Sequence, residues 1–225
     1  MERIADAFAW PFRDPQWVSK VLVMGLILII PIVGAINGLG WMLAALDRLR
    51  AGEERLPAAN FDHLGRGFGL FVVYLVYYVV VALLASVIYV PSVLILATQG
   101  HDNPSPVLVS LGIGLLLVAY SFLTLASLVL TFAMPAVVLA FDGGDIGGGL
   151  NVKRVVKLAT SSLINTLIAG LMLIAAGIVG GFGLLFCFVG VYFTQAYALA
   201  MQAWIIRSFE LGSKEVTDAG RATTA

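Results

Sequence analysis

Four stretches of this chain carry no charged side chain: 21–46, 67–101, 103–141 and 158–206. Each exceeds the ~20 apolar residues that a helix needs to cross a bilayer. Charged residues make up only 12% of the 225 residues, against about a quarter in a soluble domain. Mean hydropathy is +1.00. One membrane domain therefore uses nearly all of the chain, and the fold class expected is an all-α integral membrane protein. The formal net charge is 0, which gives no pointer to nucleic acid.

The stretch 18–46 reads in two ways. Pro31 removes a backbone donor, and Gly34, Gly38 and Gly40 weaken the helix further, with Asn37 between them. As a broken or re-entrant hairpin, each arm has about 12 residues, ~18 Å of helix, which is half a bilayer. The alternative is a single tilted span. Irregular backbone at membrane depth must be covered by protein or water.

The rest follows in order. Residues 1–17 predict an interfacial helix, with Ile4, Phe8 and Phe12 at helical spacing and Trp10 and Trp17 beside basic residues. Spans are predicted at 67–98, 107–141, 161–180 and 184–207, giving four to five transmembrane helices in a single domain, 1–211. Pro135 is expected to kink the long second span. DGGDIGGG (142–149) reads as a flexible joint, followed by a short basic amphipathic helix with Lys153, Arg154 and Lys157. Residues 212–225 form a polar tail without an expected structure. Cys187, the one cysteine, reads as a small buried hydrophobe.

Lysine and arginine collect in 48–66, 142–160 and beyond 206, while 99–106 and 180–183 have none. By the positive-inside rule the C-terminus is cytoplasmic. The hairpin reading places all 13 basic residues, and the N-terminus, on that same face. The single-span reading puts Arg3, Arg13 and Lys20 outside.

Phe12-Arg13-Asp14-Pro15-Gln16-Trp17 is followed by Lys20 and Gly25, then Ile30-Pro31-Ile32-Val33-Gly34, Gly40 and Leu56-Pro57. With Gly149 to Leu158 and Tyr197 to Trp204, these residues resemble the family called domain of unknown function 4013, over about 1–210. The resemblance implies a helical membrane domain of the prokaryotic cell membrane, with no known reaction. Its shared positions are glycine, proline and aromatic, so it is silent on activity.

Chemistry is sparse. No Asp, Glu, Lys, Arg or His falls at the centre of a span, where proton relays and voltage sensors place them. No nucleophile pair and no GxxxxGK[ST] loop occurs. No catalytic residue, metal site or cofactor is expected. His63 and His101 read as solvated loop histidines, with a single axial ligand to haem or chlorophyll as the remote alternative. Asp142 and Asp145 flank glycines but lack the oxygen-ligand pattern of a Ca²⁺ loop. The neutral polar residues Asn37, Tyr120, Thr124, Ser127, Thr131, Asn165, Tyr192, Gln195 and Gln202 make interhelical hydrogen bonds or line a polar crevice. Gly170, Gly177 and Gly181 on one span, and Ala196, Ala200 and Ala203 on the next, form small faces for close helix packing.

Two functions compete. One is a non-enzymatic membrane module, a scaffold or accessory subunit whose partners are the lipid bilayer and other membrane subunits or copies of itself. The other is a transporter or carrier of a neutral or lipidic small molecule.

Overall fold

The computed structural model describes residues 4–99 and 104–222, with backbone alone at 186–188 and 215–222. Every regular element among them is helical. Two short 3-10 helices, Ile4–Phe8 and Trp10–Arg13, precede α1 (Trp17–Leu28) and α2 (Val33–Arg50). Then come α3 (Leu64–Thr98), α4 (Pro106–Asp142), α5 (Asp145–Leu150), α6 (Val152–Ser161) and α7 (Leu163–Gly181). A third 3-10 helix, Phe182–Phe186, leads into α8 (Cys187–Ala222).

Among the described residues, three helical stretches are long and apolar enough to cross a membrane: Leu64–Thr98, Pro106–Asp142 and Leu163–Leu185. Their most apolar windows have mean hydropathies of 2.7, 2.3 and 2.3. The stretch expected as a fourth span, 184–207, lies mostly in α8, which is not among these three. The reason is chemical. α8 carries Gln195 and Gln202 among its apolar residues, which lowers its mean hydropathy. It is also walled by protein. Ala196, Ala198, Leu199, Ala200, Met201, Ala203, Ile205 and Ile206 are all buried, a run that covers every side of the helix.

The chain falls into two compact units. The first holds the residues up to Val73 and those from Thr131 onward. In it α8 packs against α1, α2, α6, α7 and the two N-terminal 3-10 helices. The second unit, Tyr74–Leu130, is an antiparallel pair formed by the later part of α3 and the earlier part of α4. Small residues let the two helices approach: Ala85, Ser92 and Ala119 are buried, and a Cβ on Gly112 would press on Leu96. Tyr89 meets Tyr120 edge to face at 6.4 Å. Both prolines are absorbed, since α3 runs through Pro91 and α4 runs through Pro135.

Residues 18–46 form two helices folded back on each other, not one continuous helix. Pro31 ends the first arm. The second arm starts from a γ-turn in which the Val33 N–H donates to the Pro31 carbonyl at 2.6 Å. Its central residue, Ile32, has φ 64° and ψ −59°. For a β-branched residue this geometry is strained, on the order of 1–3 kcal/mol. A Cβ on Gly34 would overlap the Ile27 carbonyl, so the arms touch backbone to backbone. Asn37 on the second arm reaches Met24 on the first.

Three local expectations are corrected. The segment expected as an interfacial helix, 1–17, holds two 3-10 helices in its described part, Ile4–Phe8 and Trp10–Arg13, instead of an amphipathic α-helix, and Ala7 and Trp10 are fully buried. Pro11 and Pro15 prevent a longer helix. The glycine-rich 142–149 is a folded joint, not a flexible one. Most of it lies in α5, Gly148 and Gly149 are buried, and the Arg154 guanidinium donates to the Gly143 carbonyl at 3.3 Å. Last, α8 continues to Ala222, so the polar stretch from 212 extends a helix.

Candidate functional site

The loop 51–63 has no regular structure, yet it lies against the α1–α2 hairpin with the carbonyls of Leu56, Pro57, Ala58 and Asn60 each met by a side chain. Arg48 donates to the Leu56 carbonyl at 3.2 Å, Trp41 to Pro57 at 3.3 Å and Asn37 to Asn60 at 2.8 Å. These donors step back along one side of α2 while the loop advances, so loop and helix run antiparallel. The His63 ring nitrogen sits 2.9 Å from the Ala58 carbonyl. Irregular backbone in apolar surroundings needs partners of this kind.

Asp14 closes the base of the cradle. Its carboxylate accepts from the Leu56 N–H at 2.9 Å, the Gln16 N–H at 2.8 Å and Lys20 Nζ at 2.7 Å. Lys20 also donates to the Leu56 carbonyl at 2.7 Å. Burial pushes Asp14 toward its neutral form, but the hydrogen bonds from Lys20, Gln16 and Leu56 prevail and hold its carboxyl below the usual aspartate range. The FRDPQW and LP segments, separated in sequence, are thus one structural node.

The N-terminal segment is docked on α8. The Trp10 indole donates to the Ala200 carbonyl at 3.1 Å and stacks on Trp204 at 5.9 Å. Arg13 lies 5.5 Å over the same Trp204 ring and pairs with Asp6 and Glu54. Tyr197 donates to the Phe8 carbonyl. Between α1 and α8 this leaves an open groove of about 390 Å³, lined by Phe12, Trp17, Val18, Val21, Leu22, Phe193, Thr194 and Tyr197. Its walls are almost wholly apolar, and its size lies in the range of small-molecule sites, ~300–1,000 Å³. Thr194 offers it no free donor, because its hydroxyl donates to the Gly180 carbonyl at 2.6 Å.

A charged cluster joins the ends of α2, α3 and α4 to the side of α8. Arg50 bridges Asp142 and Glu210, and Arg66 bridges Asp47 and Asp142. Arg207 and Lys214 complete the ring around Glu210 at 3.0 and 2.9 Å. Burial opposes the Glu210 charge, but hydrogen bonds from Lys214, Arg50 and Arg207 win and pull its pKa to about 2. Asp142, read from sequence as part of a glycine-rich turn, is therefore a structural anchor.

The sequence-derived candidates scatter. Asn37 is fully buried, and its amide oxygen has no partner. Tyr120, Thr124 and Ser127 lie on exposed faces of the second unit, and Thr124 donates to its own helix at the Tyr120 carbonyl. Thr131, Asn165, Tyr192 and Gln202 are partly buried. The Gln195 amide covers Gly180. Asn37 and Gln195 thus serve different neighbours. Ala196, Ala200 and Ala203 are fully buried, as a packing face requires. Gly170 also packs, since a Cβ there would overlap the Phe132 ring. Gly177 and Gly181 do not: both are exposed and face open space. The close contact between α7 and α8 runs instead through Gly180, and through Gly183, Gly190 and Thr194 just after it. His101 and the Cys187 side chain lie outside the described residues.

What the sequence reading missed is the pairing of distant segments. Asp14, Lys20, Trp41, Arg48 and Leu56 were each visible, but no spacing rule joins them. The one available signal was a pair of opposite charges at the start of α1, Asp14 just before it and Lys20 in its first turn.

No curated protein and no solved structure matches the chain. The family model described as "Protein of unknown function (DUF4013)" matches residues 23–189. That match takes in the hairpin from Val23 onward, its cradled loop and the three long apolar helices, and on this ground the chain belongs to the DUF4013 family.

Proposed function

We propose that this protein is a non-enzymatic module of the prokaryotic cytoplasmic membrane, a scaffold or accessory subunit that packs on other membrane subunits or on copies of itself. One observation carries the reading. Only 11% and 6% of the most apolar windows of α3 and α4 are buried within the chain. Leu83, Leu84, Val87, Leu94, Leu117 and Leu125 are all more than half exposed. The hydroxyl stripe Tyr120, Thr124 and Ser127 lies exposed among them, offering hydrogen-bonding surface to a partner helix. No chemistry needs to be assigned to the charged cluster, whose groups pair with one another, or to the cradle, whose donors are taken up by the loop carbonyls.

In this reading the α1–α2 hairpin enters the bilayer tip first and returns to the same face. Its first arm has 12 residues, ~18 Å of helix against a ~30 Å hydrocarbon core. Leu26, Ile30, Ile32 and Val33 around the tip are exposed and apolar, while Lys20 and Arg48 meet at the base. Both termini are then cytoplasmic, and α8 crosses inside a sheath of the other helices.

The native mass of the protein extracted in mild detergent tests the scaffold role. A stoichiometric protein partner or a defined homo-oligomer supports it; a monomer carrying only lipid sinks it. The second reading, a carrier of a neutral or lipidic molecule, draws on the apolar groove between α1 and α8. Filling that groove by Leu22→Trp would abolish transport or ligand binding under that reading, and would leave a scaffold intact.

A further inference from the structure

α6 is a basic helix whose outward side is half apolar and half cationic. At 100° per residue, Val152, Val156 and Thr160 share one strip of this ten-residue helix, and Lys153 and Lys157 occupy the strip beside it. The opposite side carries Val155, 5% exposed, with Leu158 and Ala159 partly buried next to it. So α6 is seated by one face, and the other is left open. On that open face Val152 and Val156 are 57% and 51% exposed. Lys153 and Lys157 are exposed and make no ion pair among the described residues. The remaining cation, Arg154, is occupied with the Gly143 carbonyl.

The cations do not serve the helix itself. Lys153 and Arg154 lie in the first turn, where the partial positive charge of the helix N-terminus makes basic side chains unfavourable. The cap is supplied separately, by the Asn151 side chain accepting from the Arg154 N–H at 3.1 Å. Paired lysines beside exposed valines fit a surface that is anionic at one depth and apolar just beneath it. The segment that follows points the same way. α7 starts two residues after α6 ends, and Leu163, Ile164 and Leu167 in its first turns are 62%, 71% and 55% exposed.

We propose that α6 is an anionic-phospholipid binding helix, lying in the plane of the cytoplasmic leaflet with Lys153 and Lys157 on lipid phosphates and Val152 and Val156 in the acyl boundary. The inference rests on α7 crossing the bilayer from this face. An acidic soluble protein would also match the lysines, but it would leave the two valines and the exposed start of α7 unexplained.

The test uses the full chain reconstituted into nanodiscs of phosphatidylcholine alone, or of phosphatidylcholine and phosphatidylglycerol in equal parts. Bound lipid is counted by native mass spectrometry. The wild type is expected to retain phosphatidylglycerol over phosphatidylcholine. K153Q/K157Q should lose that preference by about fivefold for each lysine removed, and K153R/K157R should keep it. Equal retention of the two lipids by the wild type, or an unchanged preference in K153Q/K157Q, overturns the proposal. So does capture of an acidic protein by these lysines without lipid preference. Failure of the wild type to enter either nanodisc would instead remove the premise that α7 spans. If K153Q/K157Q does not fold, V152S/V156S decides: it should weaken retention of both lipids, and unchanged retention counts against the proposal.

Discussion

Asp14 accepts the backbone N–H of Leu56 at 2.9 Å across 42 residues of sequence, and that bond ties the N-terminal segment to the loop under the hairpin. The Asp14 side chain is 3% exposed and that of Lys20 is 16% exposed, so the pair is shielded from water.

Removing one member of this node should be costly. Asp14→Ala leaves the Leu56 N–H without its acceptor and the Lys20 ammonium without its counter-charge, held by the Leu56 carbonyl alone. A buried pair broken from one side costs about 3–5 kcal/mol. The expected result is a marked drop in Tm in detergent for Asp14→Ala, with part of it recovered in Asp14→Ala/Lys20→Met. Equal stability of wild type and Asp14→Ala would show that the node does not hold the loop.

The glycines sort into two groups. A Cβ on Gly40 would overlap the His63 carbonyl, and one on Gly67 would overlap the Ile36 carbonyl, so α2 and the start of α3 cross backbone to backbone. Gly40→Ala and Gly67→Ala should each lower stability by ~1–3 kcal/mol or more through overpacking. Gly177→Leu and Gly181→Leu meet nothing within the chain. Those two should leave the thermal stability of the monomer unchanged, and a loss there comparable to Gly40→Ala would contradict the contacts described.

The charged cluster predicts a pH response. The Glu210 pKa is lowered from 4.5 to about 2. A depressed carboxylate adds stability that is present above its unfolded pKa and is lost as pH falls through the folded one. Wild-type stability should therefore decline between about pH 5 and pH 2, with Glu210 contributing on the order of 3 kcal/mol. In Glu210→Gln this part of the decline should be absent. Thermal melts in detergent across that range check it, and parallel curves for the two proteins refute it.

Topology is open to labelling in a Cys187→Ser background. Gln16 and Glu53 are exposed and lie on either side of the hairpin. Gln16→Cys and Glu53→Cys should both resist an impermeant maleimide added to intact cells, and both should react once the cells are permeabilised. Reaction of Gln16→Cys alone in intact cells would mean that the hairpin crosses the membrane.

The sequence by itself determined three helices long and apolar enough to cross a membrane, and it marked Pro31 as a weak point while leaving a hairpin and a single tilted span both open. Uncharged runs longer than a bilayer, and a residue without an N–H, act locally and are written in the order of residues. Even the basic amphipathic face of α6 follows from its own periodicity. Only the tertiary structure decided which glycines pack, because Gly177 and Gly180 have the same chemistry and differ only in what lies opposite. It also made α8 the central helix, since burial on all sides comes from neighbours whose positions its own pattern does not encode. The same holds for 142–149, whose glycines suggest freedom until the α4 backbone closes on Gly148 and the Val73 side chain on Gly149. The node of Asp14, Lys20 and Leu56 is the clearest case. A hydrogen bond acts over about 3 Å, so 42 residues of intervening chain carry no trace of it until the hairpin folds back and brings its partners together.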